Sequence, residues 1–366
     1  MTTTDQWASP PARIADPDEA ISTDELRLAT RNHGMPLEGL RYDVTPPGLH
    51  YLLIHYDIPD VTTATWQLHV GGHVAHPLQL NLDDLRSRPR VTHRVTLECA
   101  GNGRARLDPR PVSQPWLDEA VGTADWTGTP LAGVLREVVV LSGAVDVAFT
   151  GADHGIERGE EQDYRRGLPI AEAERDEVLL AYEMNGQPLP PQHGAPVRLI
   201  VPGWYGMAHV KWLTDVTVLD QAFDGYQNTT SYRIKRDADE PGEPVTRIRP
   251  RALMHPPGFP DFQTRTRVLD RGRHQLTGRA WSGRAPVNSV EVSTDDGATW
   301  AGADLDPSSS RYAWRRWRFT WDAATPGAHV LRVRARDDHG VQPVDADWNR
   351  QGVVNSHAQR VVVYVR

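Results

Sequence analysis

Short apolar stretches bounded by turn residues follow one another along the first two thirds of the chain, and this pattern is typical of strands with one or both faces buried. Stretches that fit strands lie at 65–70, 91–97, 146–150 and 197–201. Stretches with helical spacing lie between them, at 82–87, 130–140 and 170–177. The pattern therefore predicts a mixed domain of strands and short helices.

The pattern changes after a proline-rich passage at 224–262, and from residue 274 it is strand-like throughout. Turn residues such as Pro326-Gly327 separate the strand-like stretches. These stretches lie at 274–281, 287–294, 315–321, 329–335 and 361–365. Several strands at such short spacing predict a β-sandwich of about 100 residues.

Length, charge and composition narrow the class of protein. A chain of 366 residues is too long for one core, so two domains are expected. A net charge of −8 argues against a nucleic-acid partner, and no apolar run reaches the roughly 18 residues that a membrane span needs. The polar start of the chain lacks a signal-peptide core. We therefore expect a disordered tail at 1–23 on a cytoplasmic protein.

Cys99 is the one cysteine of the chain. A single thiol cannot form an intramolecular disulfide or hold an iron–sulfur cluster, so it either fills the core or acts through one bond, as a nucleophile or a metal ligand. It follows the predicted strand at 91–97, and Gly101 and Gly103 come next, which lets a ligand approach the backbone closely. Arg104 adds a positive charge that favours the thiolate. These surroundings favour a chemical role.

The sequence of residues 96–104, TLECAGNGR, resembles the molybdenum-ligand loop of the sulfite oxidase family. Downstream segments resemble the same family: LAYEMNG at 180–186, HGAPVR at 193–198 and VPGWYGMAHVKWL at 201–213. The resemblance extends over about residues 24–366. It implies a sulfite-oxidase-type α+β molybdopterin-binding domain at 24–243 and an all-β immunoglobulin-like sandwich at 244–366 that pairs two subunits. It also implies that the Cys99 thiolate is the protein's bond to molybdenum.

The resemblance further implies which residues hold a molybdenum–molybdopterin cofactor. Molybdopterin carries a phosphate and a hydrogen-bonding pterin, so its site needs cationic donors and a few acceptors. The implied cofactor-binding residues are His55, Asp153, His193, Arg198, His209 and Lys211. No haem-attachment motif or iron–sulfur ligand set accompanies them in the sequence. Electrons are therefore expected to pass to an external acceptor or to come from an external donor.

On the substrate side, a sulfite oxidase pocket gathers three arginines, a tyrosine and a tryptophan around the metal. The resemblance implies catalytic roles for Arg104, Trp116 and Tyr232. The predicted reaction is the oxidation of sulfite, a small oxyanion, to sulfate. Arg104 would bind the oxyanion, and Tyr232 would position it and couple proton movement.

The chain departs from this pattern at two positions, because Leu53 and Gln351 stand where the other two arginines are expected. Arg31, in an Arg-Asn-His triplet, or Arg350 could supply the missing charge. Without a substitute, oxyanion binding would weaken by orders of magnitude, since each charge-assisted hydrogen bond contributes about 1.5–3 kcal/mol. Two alternatives therefore stay open: the same cofactor acting on nitrate or an S-oxide, and a non-catalytic β-sandwich interaction protein.

Overall fold

A computed structural model describes residues 13–366. Within that range the N-terminal domain is built from short strands and short α-helices. The helices are α1 (Thr23–Arg31), α2 (Leu82–Arg86), α3 (Leu131–Val138) and α4 (Ile170–Ala173). The strands are β1 (Leu68–Gly72), β2 (Leu78–Leu80), β3 (Val91–Glu98), β4 (Val121–Pro130), β5 (Asp146–Glu157), β6 (Glu160–Pro169), β7 (Leu179–Met184), β8 (Gln187–Pro188), β9 (Arg198–Ile200), β10 (Leu213–Leu219), β11 (Arg233–Ile234) and β12 (Glu243–Pro244).

Two five-stranded sheets and the two-stranded ribbon β11-β12 form the N-terminal domain. One has the order β2-β1-β10-β5-β6, with β1 and β10 parallel and the other neighbours antiparallel. The other has the order β3-β4-β7-β8, and β9 pairs with β7. A hydrophobic cluster that includes Leu68, Phe149 and Leu199 packs the two larger sheets together. This packing brings the ends of β3, β5 and β9 to one region.

The C-terminal domain is a sandwich of two sheets, as its alternating pattern predicts. Its strands are β13 (Arg251–His255), β14 (Phe259–Pro260), β15 (Arg267–Leu269), β16 (Gly272–Trp281), β17 (Ser289–Ser293), β18 (Ala301–Gly302), β19 (Asp304–Leu305), β20 (Arg315–Ala323), β21 (Gly327–Asp337), β22 (Gly340–Val341) and β23 (Gln359–Val365). One sheet has the order β13-β16-β20-β19 and the other β14-β15-β23-β21-β17-β18, with β22 on β21. Trp317, Leu331 and Val363 lie in the core between them.

The two domains meet at a buried charged interface behind the end of β3. Arg251, on β13, is 1% exposed and forms ion pairs with Glu98 at 2.9 Å and Asp118 at 3.1 Å. The Trp281 indole Nε1 donates to the second carboxylate oxygen of Glu98 at 2.8 Å. The residue next to Cys99 in sequence is therefore held by the second domain.

Each predicted strand and helix has a counterpart, but strands such as β4, β7 and β10 were not predicted from the sequence, and neither was β6. Five of its ten residues are charged and its first half is largely exposed, so it shows no apolar alternation. It forms because its backbone pairs with β5 across a two-residue turn. Tertiary pairing thus overrides a weak local preference.

The start of the described chain differs from the predicted tail. Ile14 forms a β-bridge with Pro111, and Arg13 forms an ion pair with Glu19 at 2.7 Å, so residues 13–22 lie against the domain. The rest of the predicted tail, 1–12, lies outside the described residues. Among residues 13–366, no helix combines the length and the apolar character needed to cross a membrane.

Candidate active site

Cys99 lies at the end of β3 in a loop that both domains hold in place. Its side chain is 8% exposed. The carbonyl of Ala100 accepts from the N–H of Val354, in the C-terminal domain, at 2.7 Å. Gly103 has φ +92°, and a Cβ on it would lie only 2.6 Å from the His357 ring, so this turn requires glycine. The thiol is therefore fixed by a tight, crowded loop.

The environment of the thiol suits a metal ligand. Burial raises the pKa of Cys99, whereas the charge of Arg104 and the Gly101 N–H favour the thiolate. The thiolate is the form that binds metal, and a bound cation offsets the cost of burying it. A soft metal is the natural partner for such a sulfur.

Two cavities meet at Cys99, and the first contains every residue predicted to bind the cofactor. We name it the inner cavity. Its lining includes Cys99, His50, Tyr51, Tyr232 and the six predicted residues His55, Asp153, His193, Arg198, His209 and Lys211. The fold thus gathers side chains from the segment before β1, the bulge in β5 and the loops around β9.

The inner cavity holds buried cations without acidic partners. Arg198 is 5% exposed and donates to the backbone carbonyls of His193 and His209, at 3.0 and 3.1 Å. Lys211 likewise donates to backbone carbonyls. Burial lowers the pKa of Arg198 to about 10 and that of Lys211 to about 7. Asp153 lies in the same cavity and its charge acts on Lys211, but no carboxylate of residues 13–366 forms an ion pair with Arg198 or Lys211, so an anionic ligand would relieve the cost of their burial.

His209 lines the inner cavity, but its ring is used differently from the prediction. Nδ1 accepts from the Val201 N–H at 3.1 Å, and Nε2 lies 3.1 Å from the Trp204 carbonyl. Burial lowers the pKa of His209 to about 3, so the ring stays neutral at physiological pH. Both ring nitrogens therefore hold the backbone of the β9 loop and leave no free nitrogen for a ligand.

The second cavity, which we name the outer cavity, has a volume of about 320 Å³ and also reaches Cys99. It contains all three residues predicted to be catalytic, Arg104, Trp116 and Tyr232. His55, Leu53 and Tyr232 line both cavities. The thiol thus stands between a cation-rich chamber and a second chamber that is large enough for a small ligand.

The three predicted catalytic residues offer hydrogen-bond donors to the outer cavity. Arg104 donates from Nε to the Gln351 carbonyl and from Nη1 to the Gln114 carbonyl. Its Nη2 forms no hydrogen bond with any of the described residues. The indole Nε1 of Trp116 is buried without a partner in the described part of the chain. Burial raises the pKa of Tyr232, so its phenol stays protonated and can donate. These donors suit an oxyanion beside Cys99.

The positions that lack the expected arginines lie at the site, but the two candidate substitutes do not. Leu53 lines both cavities and Gln351 lines the outer one. Arg31 turns to the surface, where it forms an ion pair with Asp57 at 3.1 Å. Arg350 is absent from the described lining of both cavities. The expectation that Arg31 or Arg350 supplies the missing charge is therefore not met by this geometry.

Sequence reasoning missed a carboxylate and an arginine at the tip of the β5–β6 hairpin, Glu157 and Arg158, which both line the outer cavity. Glu157 accepts from His55 Nε2 and Gln227 Nε2, each at 2.9 Å. Burial alone would raise the pKa of Glu157, but His55, Gln227 and the charge of Arg158 lower it to about 2. No local motif marks these residues, because β6 itself lacks a recognisable pattern.

Comparison with known proteins identifies the family. Residues 55–227 match the oxidoreductase molybdopterin binding domain, and residues 260–366 match the Mo-co oxidoreductase dimerisation domain. The chain is 34% identical to human mitochondrial sulfite oxidase, over 98% of this chain and 69% of that protein. The chain belongs to the sulfite oxidase family.

The chain is also similar to two proteins whose names differ from sulfite oxidase. The chain is 30% identical to a nitrate reductase of Oryza sativa, over 88% of this chain and 38% of that protein. The structure is similar to that of the sulfane dehydrogenase SoxCD from Paracoccus pantotrophus, with a TM-score of 0.79 and 22% identity. The superposition includes 100% of this chain and 95% of that chain. The latter likeness shows the shared fold.

Membership of the sulfite oxidase family confirms the predicted architecture and cofactor. The chain is a molybdopterin-dependent oxidoreductase, with a mixed, mostly β cofactor domain followed by a β-sandwich dimerisation domain. The alternative of a non-catalytic interaction protein is therefore wrong.

The residues of the inner cavity fit molybdopterin. Three buried atoms there have no hydrogen-bond partner among residues 13–366: Arg198 Nε, His50 Nε2 and Asp153 Oδ1. Buried polar atoms are almost always paired, so a ligand with both donors and acceptors is the natural complement. Burial raises the pKa of Asp153 to about 6. In this family member Arg198 and Lys211 would hold the anionic part of the cofactor, and Cys99 would hold the metal.

Proposed function

We propose that this enzyme oxidises sulfite to sulfate and passes the electrons to an external acceptor. Sulfite and water become sulfate, two protons and two electrons. When bound, the molybdenum cofactor supplies the two-electron redox chemistry. The observation that supports sulfite is the convergence of Arg104, Trp116 and Tyr232 with Cys99 on one cavity, together with 34% identity to a sulfite oxidase.

Arg104 and Tyr232 have distinct tasks in this reaction. Arg104 binds a substrate oxygen through its free Nη2 and neutralises its charge. Tyr232, protonated because burial raises its pKa, donates to a second oxygen and holds the substrate between the two cavities. His55 lies 2.9 Å from Glu157, which holds its ring at the boundary of the two cavities.

Steady-state kinetics test the proposal. Holoenzyme is assayed with sulfite and an artificial one-electron acceptor, and separately with nitrate or an S-oxide and a reduced dye. We expect turnover of sulfite, and we expect Arg104→Gln to lower kcat/KM by at least tenfold, because a charge-assisted hydrogen bond is lost. Absence of sulfite turnover in an enzyme that contains molybdenum would contradict the proposal.

A second candidate, reduction of nitrate or an S-oxide, is favoured by Leu53 and Gln351. Without arginines at those positions the outer cavity has less positive charge than the resemblance implies for sulfite. The 30% identity to a nitrate reductase points the same way. Turnover of nitrate or an S-oxide without turnover of sulfite would establish this candidate.

We further propose that the C-terminal sandwich pairs two chains into a homodimer. The matching family model is named for dimerisation, and Phe259, Phe262 and Tyr364 expose aromatic surface on this domain, Phe262 to 86%. Exposed apolar side chains of this size are typical of interaction surfaces. The expected cytoplasmic location stays a prediction.

A further inference from the structure

Arg158 occupies an unusual backbone position at the tip of the hairpin between β5 and β6. Arg158 and Gly159 form the two-residue turn between Glu157 and Glu160, with φ +52° and +87°. Turns of this kind favour glycine, asparagine and aspartate, because a Cβ is strained in the left-handed region. A long cationic side chain at this strained position, turned into the outer cavity, indicates a function beyond the turn.

The side chain of Arg158 is oriented from the second domain. Its Nη1 donates to Gln351 Oε1 at 2.9 Å, and Gln351 Nε2 in turn donates to the Thr230 carbonyl at 3.2 Å. Gln351 therefore occupies the place expected for an arginine and acts instead as the acceptor that orients one. The guanidinium of Arg158 comes from a different strand, but it reaches the same cavity.

The charge of Arg158 is available to a ligand. Among residues 13–366 no carboxylate forms an ion pair with Arg158: the neighbouring Glu157 feels its charge but pairs with His55, at 2.9 Å. Arg13, which also lines the outer cavity, is by contrast paired with Glu19 at 2.7 Å.

The charge of Arg158 also affects Arg104, the other arginine that offers a free donor to the outer cavity. Burial lowers the pKa of Arg104, and the positive charge of Arg158 lowers it further. Two guanidinium groups that repel one another across a cavity are both stabilised by an anion bound between them.

We propose that Arg158, oriented by Gln351, is the second oxyanion-binding residue of the outer cavity and determines its specificity for anions. It supplies the charge that is missing at positions 53 and 351. This assignment rests on the proposed function, the conversion of a small oxyanion at Cys99. Arg158 binds and positions the substrate, and Gln351 positions Arg158.

The test uses full-length holoenzyme with Arg158→Gln, Arg158→Lys and Gln351→Leu. Sulfate binding is measured by calorimetry, which needs no turnover, and sulfite KM and kcat are measured beside it. For Arg158→Gln we expect about ten- to hundredfold weaker sulfate binding and a rise in KM that exceeds the fall in kcat. Arg158→Lys keeps the charge and should recover part of the loss. Gln351→Leu removes the hydrogen bond that orients Arg158 and the one to the Thr230 carbonyl, but it leaves the charge of Arg158 in place, so it should cost about two- to tenfold.

Arg31→Gln is the matched control, because it removes an arginine near the site that faces solvent and pairs with Asp57. It should bind sulfate like the wild type. Molybdenum content and circular dichroism of each variant separate loss of binding from loss of cofactor or fold.

Two results separate the failure of this assignment from failure of the proposed function. If Arg158→Gln binds sulfate and sulfite within twofold of the wild type while Arg104→Gln does not, Arg158 is not the second donor and sulfite oxidation stands. If wild-type holoenzyme binds neither sulfate nor nitrate and turns over neither sulfite nor nitrate, the proposed function and the assignment are both wrong.

Discussion

Replacement of Arg251 by methionine tests whether the C-terminal domain stabilises the metal-ligand loop through charge. Arg251 is 1% exposed and contacts Glu98, which precedes Cys99, and Asp118. Methionine fills much of the same space but leaves both buried carboxylates without this cation. The variant therefore removes the charge and keeps most of the packing.

The structure sets the size of the effect. Removing one partner of a buried ion pair costs about 3–5 kcal/mol, because the remaining charge stays buried. In Arg251→Met the free energy of unfolding should fall by an amount near the lower end, about 3 kcal/mol. The reason is that Glu98 keeps its hydrogen bond from Trp281 and Asp118 keeps its hydrogen bond from His357. The matched control is Arg334→Met. Arg334 pairs with Glu291 at 2.8 Å, but the two side chains are 23% and 30% exposed, so its loss should cost less than about 1 kcal/mol.

The same variant should change the pH dependence of stability. Burial alone would raise the pKa of Asp118, but the His357 hydrogen bond and the charges of Arg106 and Arg251 hold it well below its usual range. A carboxyl group with a lowered folded pKa stabilises the fold above its ordinary pKa, and this stabilisation is lost as the pH falls through the folded value. Without Arg251 the folded pKa rises. Acid unfolding should therefore begin at a higher pH in Arg251→Met.

Urea unfolding at pH 7 and acid titration, each followed by circular dichroism, measure both effects. The double variant Arg251→Met/Asp118→Asn should recover part of the loss, because it removes one of the two buried carboxylates left without Arg251. The reasoning is refuted if Arg251→Met is no less stable than Arg334→Met, or if its acid transition coincides with that of the wild type.

Three shorter predictions concern the thiol, its loop and the assembly. Cys99→Ser should fold like the wild type but lose activity, because oxygen is a poor substitute for a soft thiolate, and metal analysis with kinetics checks this; full activity would contradict it. Gly103→Ala should lower the free energy of unfolding by at least about 1 kcal/mol, since φ is +92° and the new Cβ would lie 2.6 Å from the His357 ring; an unchanged thermal midpoint would contradict it. Sedimentation equilibrium should give twice the chain mass of 40.8 kDa, whereas a concentration-independent mass of one chain would exclude the dimer.

Prediction from the sequence succeeded where the relevant residues lie close together along the chain. Residues 96–104 carry the thiol, its glycines and Arg104 within one loop. Residues 193–211 likewise carry four of the basic residues that the structure places in the inner cavity. The alternating pattern after residue 274 predicted the sandwich, because a strand with one buried face needs that period whatever it packs against.

The sequence could not decide the direction in which a side chain turns. Arg31 stands in the expected triplet but turns to Asp57, whereas Asn32 of the same triplet faces the outer cavity. His209 lines the inner cavity, but its ring nitrogens are taken up by the backbone of its own loop. Residue type and spacing do not contain this information, since both outcomes satisfy the same local pattern.

The sequence alone determined the two-domain order, the strand periods, the thiol loop and the basic segment of the cofactor site, because each depends on neighbours along the chain. Only the tertiary structure decided that Arg158 enters the outer cavity, through a two-residue turn and a hydrogen bond to Gln351, 193 residues away. It alone placed Arg251 behind Glu98, across the domain interface. A charge acts through distance in space, and only folding sets that distance.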